Sequence, residues 1–294
     1  MAESSTLLFI VGTLNAMTPI LLTAVGEIIA ERAGVVNIGL EGIIMIGALV
    51  AAMAAEAWGP LVGLLAGTAA GALLGVLHAV LTAYLKGDHI IPGIGVNTLA
   101  LGLVPFTLIV YWGSAGQHTI PDSAQVPKIA GYISPLPFIA ILVAVAAWYV
   151  LFRTPLGLKL RSVGENPVAA DTVGILVERT QAIAVVVGAA LAGLAGAFMS
   201  LDWLGVVTKE IAAGRGFIAL ALVVFSNWNP LQAIAGAALF GAFDYLAQWL
   251  KVVHTAVPDA LINTLPYIVT LAAVAGVLGR VQPPRHVGVP YRRE

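Results

Sequence analysis

RTPLGLKLRSVGENPVAADTVGILVERT, residues 153–180, is the one long charged reach in a chain whose 294 residues are only 10% Asp, Glu, Lys and Arg, against about 25% in soluble domains. Apolar segments of membrane-spanning length flank it, so it must sit in water. Arg153, Lys159, Arg161 and Arg179 place it on the cytoplasmic side, where basic loops are retained. Within it, Asn166-Pro167 is a helix start. Asn accepts from the free amides of a first turn, and Pro at the first helical position loses only an amide hydrogen that was unpaired anyway. Gly174 supplies a left-handed stop. The expected helix has about two turns, too short to persist alone in water. Two readings stand at this point: a capped connector packed on its own chain, or a docking helix for a cytoplasmic partner.

Outward from that loop the chain is 60% hydrophobic, with a mean hydropathy of +0.97. The apolar segments are continuous and do not alternate every second residue, which excludes a β-barrel. The chain reads as an all-α polytopic membrane protein, one domain over 1–294, with about 8–10 transmembrane helices including a short half-helix or re-entrant segment. A net charge of −1 gives no electrostatic case for nucleic acid, and the absence of cysteine excludes disulfides, thiolate metal sites and cysteine nucleophiles. The start, MAESSTLLFI, lacks the basic region of a cleaved leader, so the first span is expected to be retained.

Span 1 is expected over about Leu7 to Ile29, with a kink at Thr18-Pro19, where the Thr hydroxyl can bond a freed carbonyl. Asn15 beside it suits an interhelical hydrogen bond, with substrate contact as the alternative. In ERAGVVNIGLEG (31–42), Asn37 and Glu41 fall inside the next apolar run. A carboxylate there costs several kcal/mol unless it faces a partner or water, so Glu41 and Asn37 are pathway candidates; the alternative is a turn in which Glu41 pairs with an Arg. Span 3, about Leu61 to Leu85, carries Gly63, Gly67, Gly71 and Gly75 at four-residue spacing, a face for close helix packing. His78 beyond it reads as a packing residue. Span 4, about Ile90 to Trp112, opens with IPGIGVNT, for which an irregular start is expected, and Asn97 there is either a pathway or a packing residue. Span 5 runs over about Leu136 to Phe152 and span 6 over about Ala182 to Leu201. The apolar stretch 216–228 is too short to cross about 30 Å of hydrocarbon upright and reads as a half-helix. Span 8 starts at Asn229-Pro230 and ends near Leu250, with Asp244 and Gln248 as an inward pair. Span 9, about Ala260 to Leu278, holds Asn263 and Pro266, and a basic tail, 280–294, follows.

With the N-terminus outside, nine passes leave 10 of the 14 Lys and Arg in the cytoplasm: Arg32, Lys86, Arg153, Lys159, Arg161, Arg179, Arg280, Arg285, Arg292 and Arg293. No lysine follows a glycine, so no GxxxxGK[ST] phosphate loop exists; HExxH and GxSxG are absent too. The spans are poor in the ionisable residues of ion-coupled carriers. What remains is a membrane subunit driven by something else, or a stand-alone channel or secondary carrier.

The stretches ERAGVVNIGLEG (31–42), RSVGENPVAADTVGI (161–175) and GRGFIALALVVFSNWNPLQA (214–233) resemble the permease subunits of bacterial ABC importers for nucleosides, in the wider family of simple-sugar and branched-chain amino acid permeases. The resemblance runs from about residue 10 to 280. It implies an inner-membrane heterodimer of two related permeases in membrane lipid, an ABC ATPase pair that carries the ATP and Mg, and an extracytoplasmic solute-binding protein or lipoprotein, with no cofactor on this chain. It implies that Gly164, Glu165, Asn166, Pro167, Ala169, Ala170 and Asp171 lie in the segment coupled to the ATPase. Segments 34–42 and 216–228, with Phe217 and Trp228, match stretches that line or flank the pathway. A neutral, polar, ring-containing solute, most of all a nucleoside, is the expected cargo; a simple sugar or branched-chain amino acid is the alternative.

Overall fold

The computed structural model describes residues 2–129, 132–253, 262, 264, 268 and 281–292. Among the described residues ten α-helices follow one another: α1 (Ala2–Arg32), α2 (Leu40–Trp58), α3 (Pro60–Ala79), α4 (Ile90–Trp112), α5 (Leu136–Arg153), α6 (Pro155–Glu165), α7 (Pro167–Thr172), α8 (Val177–Phe198), α9 (Arg215–Phe225) and α10 (Pro230–Val253). Wider π-helical turns, Val80–Tyr84 and Met199–Trp203, extend α3 and α8. Among the described residues, seven helices are long and apolar enough to cross a membrane: α1 to α5, α8 and α10. The span expected at 260–278, with Asn263 and Pro266, lies outside the described residues.

The hub is α8, which packs against α1, α2 and α3. Lipid tails are as apolar as Leu, so helices in a bilayer associate through close packing rather than hydrophobic burial, and small residues permit it. The four glycines of α3 do what their spacing predicts. All are buried, and a Cβ at Gly67 or Gly71 would meet the Gly47 carbonyl oxygen at 2.7 Å or the Ala189 carbonyl oxygen at 2.3 Å. From α8, Gly188, Gly193 and Gly196 abut Gly26, Gly67 and Ile44 in the same way.

The bundle has two distinguishable ends. At one, strand β1 (Gln117–Thr119) pairs antiparallel with β2 (Val206–Thr208), linking the α4–α5 and α8–α9 connections. Glu56 at the end of α2 pins this ribbon. Its carboxylate accepts from Trp112 Nε1 at 2.8 Å and lies 2.5 Å from His118 Nε2, while the His118 and Trp112 rings stack at 4.5 Å. At the other end lie the α1–α2 loop, the turn before α4, helices α6 and α7, and the C-terminal segment 281–292. There Asp88 accepts from the amides of Ile91 and Ile90, which hold its carboxyl below the usual range. Burial pushes the His89 imidazole down, consistent with its neutral Nδ1 accepting the Val36 amide at 3.4 Å.

Three local expectations are revised. α4 is regular from Ile90, because Pro92 falls in the first turn, where an amide hydrogen has no helical acceptor. Gly93 serves close approach instead: a Cβ there would stand 2.7 Å from the Gly39 nitrogen. In α1 the Thr18 hydroxyl donates to Leu14 O at 2.6 Å, not to the Asn15 carbonyl that Pro19 leaves free. Asn15 Oδ1 is buried with no hydrogen-bond partner among the described residues.

Replacing Gly71 by Leu should therefore wedge α3 from α8. Overpacking costs about 1–3 kcal/mol or more, to be read as a lowered melting temperature of the detergent-purified protein. Gly102→Leu, at a position with no atom within 4 Å of a built Cβ, should leave the melt unchanged.

Candidate functional site

The short helix α9 has 11 residues, about 16 Å at 1.5 Å per residue, roughly half the hydrocarbon core. Its predecessor β2 belongs to the ribbon end, and the turn after it, 226–229, lies at the opposite end against Arg32. The irregular segment 209–214 supplies the other half of the pass. α9 thus begins inside the bundle; its Arg215 amide is met by Ala212 O at 3.0 Å, and the Gly214 and Gly216 amides need acceptors from another element. Glu41, from the first turn of α2, supplies the acceptors. Its Oε1 accepts from Gly214 N at 2.6 Å and its Oε2 from Gly216 N at 2.7 Å. An anion is the right group for a helix start, since the partial charge there is positive. Gly216 is required by the approach: a Cβ would lie 2.4 Å from the Glu41 nitrogen.

Beside this contact opens a cavity of about 730 Å³, within the range of small-molecule sites. Its wall takes Ile20 from α1, Glu41 and Met45 from α2, Asn97 and Leu101 from α4, the 208–215 segment, Phe217 and Ile218 from α9, and Phe240, Asp244 and Gln248 from α10. Arg215 Nη2 pairs with Asp244 Oδ2 at 2.8 Å and its guanidinium lies 4.7 Å from the Trp203 ring centroid; Gln248 Nε2 reaches the same carboxylate oxygen at 3.4 Å. Phe217 is 51% exposed. Asn97 staples the wall together, its Nδ2 donating to Ile38 O at 3.0 Å and its Oδ1 accepting from Gly42 N at 2.8 Å. It therefore packs helices and faces the cavity at once. Arg215 escaped the sequence reading. The sequence reading paired Asp244 with Gln248; the available signal for Arg215 was that an Asp at depth needs a cationic partner.

Two other sequence candidates lie outside the cavity wall. Asn37 is 1% exposed and folds the α1–α2 loop: its amide donates to Glu27 Oε1 at 2.7 Å, and its Oδ1 accepts from Gly39 N at 2.9 Å. Trp228 is buried under the α9–α10 turn, donating from Nε1 to Glu31 Oε2 at 2.5 Å. Asn227 and Trp228 both hold left-handed backbone, with φ of 51° and 54°. Arg32 secures it, donating to Trp228 O at 3.1 Å and Asn227 O at 3.3 Å. His78 Nε2 lies 3.1 Å from Val36 O, supporting the same loop.

At the loop end, the capped helix forms as the sequence requires. Asn166 Oδ1 accepts from Ala169 N at 3.0 Å, Pro167 opens α7, and Gly174 ends it with φ 84°. Helix α6 precedes it, with Thr154 Oγ1 accepting from Gly157 N at 3.3 Å. Gly164 is pressed on the end of α1, where a Cβ would stand 2.3 Å from Arg32 O. Ala170 faces inward, 3% exposed, against Val163 and Val177. The outward surface includes Glu165, Asn166, Val168, Ala169, Thr172, Val173 and Leu176. Asp171 is half-buried and accepts from Tyr291 Oη at 3.0 Å.

Residues 9–277 match the family described as branched-chain amino acid transport system / permease component. The guanosine ABC transporter permease protein NupQ of Bacillus subtilis is 36% identical, over 95% of this chain and 94% of its own length. The nucleoside ABC transporter permease protein NupC of Lactococcus lactis is 38% identical, over 93% of each. The putative glucose ABC transporter permease protein TsgC13 of Haloferax volcanii is 34% identical, over 96% of each. No solved structure matches. A broken pass capped by a half-buried carboxylate, a cavity with polar groups set in a mainly apolar wall, and a match over nearly the whole chain leave one assignment: this multi-pass chain belongs to the family of branched-chain amino acid transport system permease components, as an ABC transporter permease subunit.

Proposed function

We propose that the chain forms half of the translocation pathway of an ATP-driven importer for nucleosides, with the cavity beside Glu41 as its solute chamber. The observation that carries this reading is the wall itself. The Phe217 ring offers a face for a base, and Asn97 and Gln248 bring carboxamides; Arg215 is paired with Asp244, Glu41 is held by two backbone amides, and Lys251 offsets Glu210, so a neutral polar solute is favoured over an ion. The printed substrates of NupQ and NupC support the same class. A sugar is the second reading, favoured by TsgC13. ATP-dependent uptake of guanosine, cytidine and glucose by the reconstituted complex separates the two.

Both organisms with the nucleoside relatives have a second permease of like name, NupP at 26% and NupB at 25% identity. That pairing supports a heterodimer in which this chain takes the NupQ and NupC place. The ATPase, with its ATP and Mg, docks on the outward face of α7, and a solute-binding protein or lipoprotein delivers cargo at the ribbon end. The loop end faces the cytoplasm and the N-terminus lies outside. Arg32, Lys86, Arg153, Lys159, Arg161, Arg179, Arg285 and Arg292 gather at the loop end, as basic residues do on the cytoplasmic side.

Two outcomes test these roles. Glu41→Ala leaves the Gly214 and Gly216 amides without their acceptor, at about 1–3 kcal/mol each. Uptake should fall at least about tenfold while the subunits still co-purify; unchanged uptake would remove Glu41 from the mechanism. Ala169→Glu places a bulky charge on the outward face of α7, away from the membrane core. It should abolish co-purification of the ATPase and all transport, with normal insertion and normal pairing with the second permease. Ala170 is no substitute in that experiment, because its side chain is packed inside the subunit.

A further inference from the structure

The C-terminal segment 281–292 has no regular structure, yet it is tied at four places to elements far away in sequence. Gln282 N donates to Asn227 Oδ1 at 2.9 Å, in the turn between α9 and α10. His286 N donates to Gly164 O at 2.9 Å, at the end of α6. Gly288 N donates to Gly34 O at 3.0 Å, in the α1–α2 loop. Tyr291 Oη donates to Asp171 Oδ2 at 3.0 Å, on α7. The Tyr291 ring is 7% exposed, inserted among Val163, Ala170 and Val177. Lys86 Nζ, paired with Glu178 at 2.9 Å, lies 5.7 Å from its centroid.

Without this segment, α7 would be held to the bundle only by its two connections and by Ala170 against Val163 and Val177. A six-residue helix has no stability of its own, so a force applied to its outward face would bend it before moving anything else. With the segment in place, the inner face of α7 is filled by an aromatic ring. The same stretch of chain is also hydrogen-bonded to the α1–α2 loop at Gly34, seven residues before Glu41, and to the turn that ends α9. α7 thereby joins the elements at both ends of the Glu41–α9 contact.

We propose that residues 281–292 are a strap that holds the coupling helix rigid on the membrane core, with Tyr291 as the positioning residue through which movement of α7 reaches the α1–α2 loop and α9. The proposal rests on the reading of α7 as the ATPase contact, so the test has one readout that does not depend on it. In the full complex, Tyr291→Phe removes only the hydroxyl, and Tyr291→Ala removes the ring as well. Hydrogen exchange of the α7 amides, residues 168–175, should accelerate about fivefold in the first variant and at least about tenfold in the second, with α8 unchanged. ATP hydrolysed per solute carried should rise in the same order, at least about threefold for Tyr291→Ala, while the ATPase still co-purifies. Unaltered α7 exchange in both variants would overturn the strap. Faster exchange with an unchanged ratio of hydrolysis to transport would overturn the coupling role of Tyr291. If Tyr291→Ala fails to assemble, Tyr291→Phe decides by the same two measurements. A wild-type complex in which solute and ATP hydrolysis are unconnected would instead sink the ATPase-contact reading, with the exchange result still standing.

Discussion

The bond between the Glu41 carboxylate and the amides at the start of α9 is the constraint on which this bundle depends. A helix that begins inside a membrane domain exposes unsatisfied N–H groups, each costing several kcal/mol in hydrocarbon. A half-buried carboxylate on α2, within the membrane-spanning bundle, carries the opposite liability. Each solves the problem of the other, with two hydrogen bonds of 2.6 and 2.7 Å. The contact fixes where α9 starts, and so where the wall of the cavity can open. It also couples two helix starts, because the next amide of α2, at Gly42, is held by Asn97 from α4. Any change in the angle of α2 is felt at α9 and α4 together.

Around this polar centre the protein uses two kinds of cohesion. The contacts of α8 with α1, α2 and α3 are made of glycine and alanine backbones at van der Waals distance, and such packing resists small displacements because any sideways shift produces overlap. At the loop end, cohesion comes instead from single hydrogen bonds and inserted rings: Arg32 on the 226–229 turn, Trp228 on Glu31, His89 on Val36, Tyr291 on Asp171. Contacts of that kind have discrete alternatives and can exchange partners. The contrast suits a permease subunit, in which a rigid core must be turned by forces received at one end. It also explains why a strained turn is retained at Asn227 and Trp228, where the carbonyls need their orientation to meet Arg32.

How much of this was legible in the sequence follows from the range of each interaction. The apolar spans were readable because hydrocarbon thickness imposes a length and a composition on every crossing. The cap of α7 was readable because Asn166 bonds a residue only three positions on, and the glycine face of α3 because a four-residue repeat is a property of one helix. The shortness of α9 was visible for the same reason. The sequence also showed that Glu41 needed a partner, since its cost is intrinsic to its chemistry.

Only the tertiary structure decided which partner. Glu41 is 173 and 175 positions from the amides it holds, Arg215 is 29 from Asp244, and Tyr291 is 120 from Asp171. Nothing local encodes those pairings, because they are set by how the helices stack. The same holds for orientation. Ala169 and Ala170 are equivalent in sequence, yet one faces outward and the other packs against Val163 and Val177. Asn37 and Asn97 are both polar residues in apolar runs, yet one folds a loop and the other borders the cavity. Composition determined that polar groups in this chain had to be satisfied from within. The packing of α8 against its neighbours determined which groups were near enough to do so.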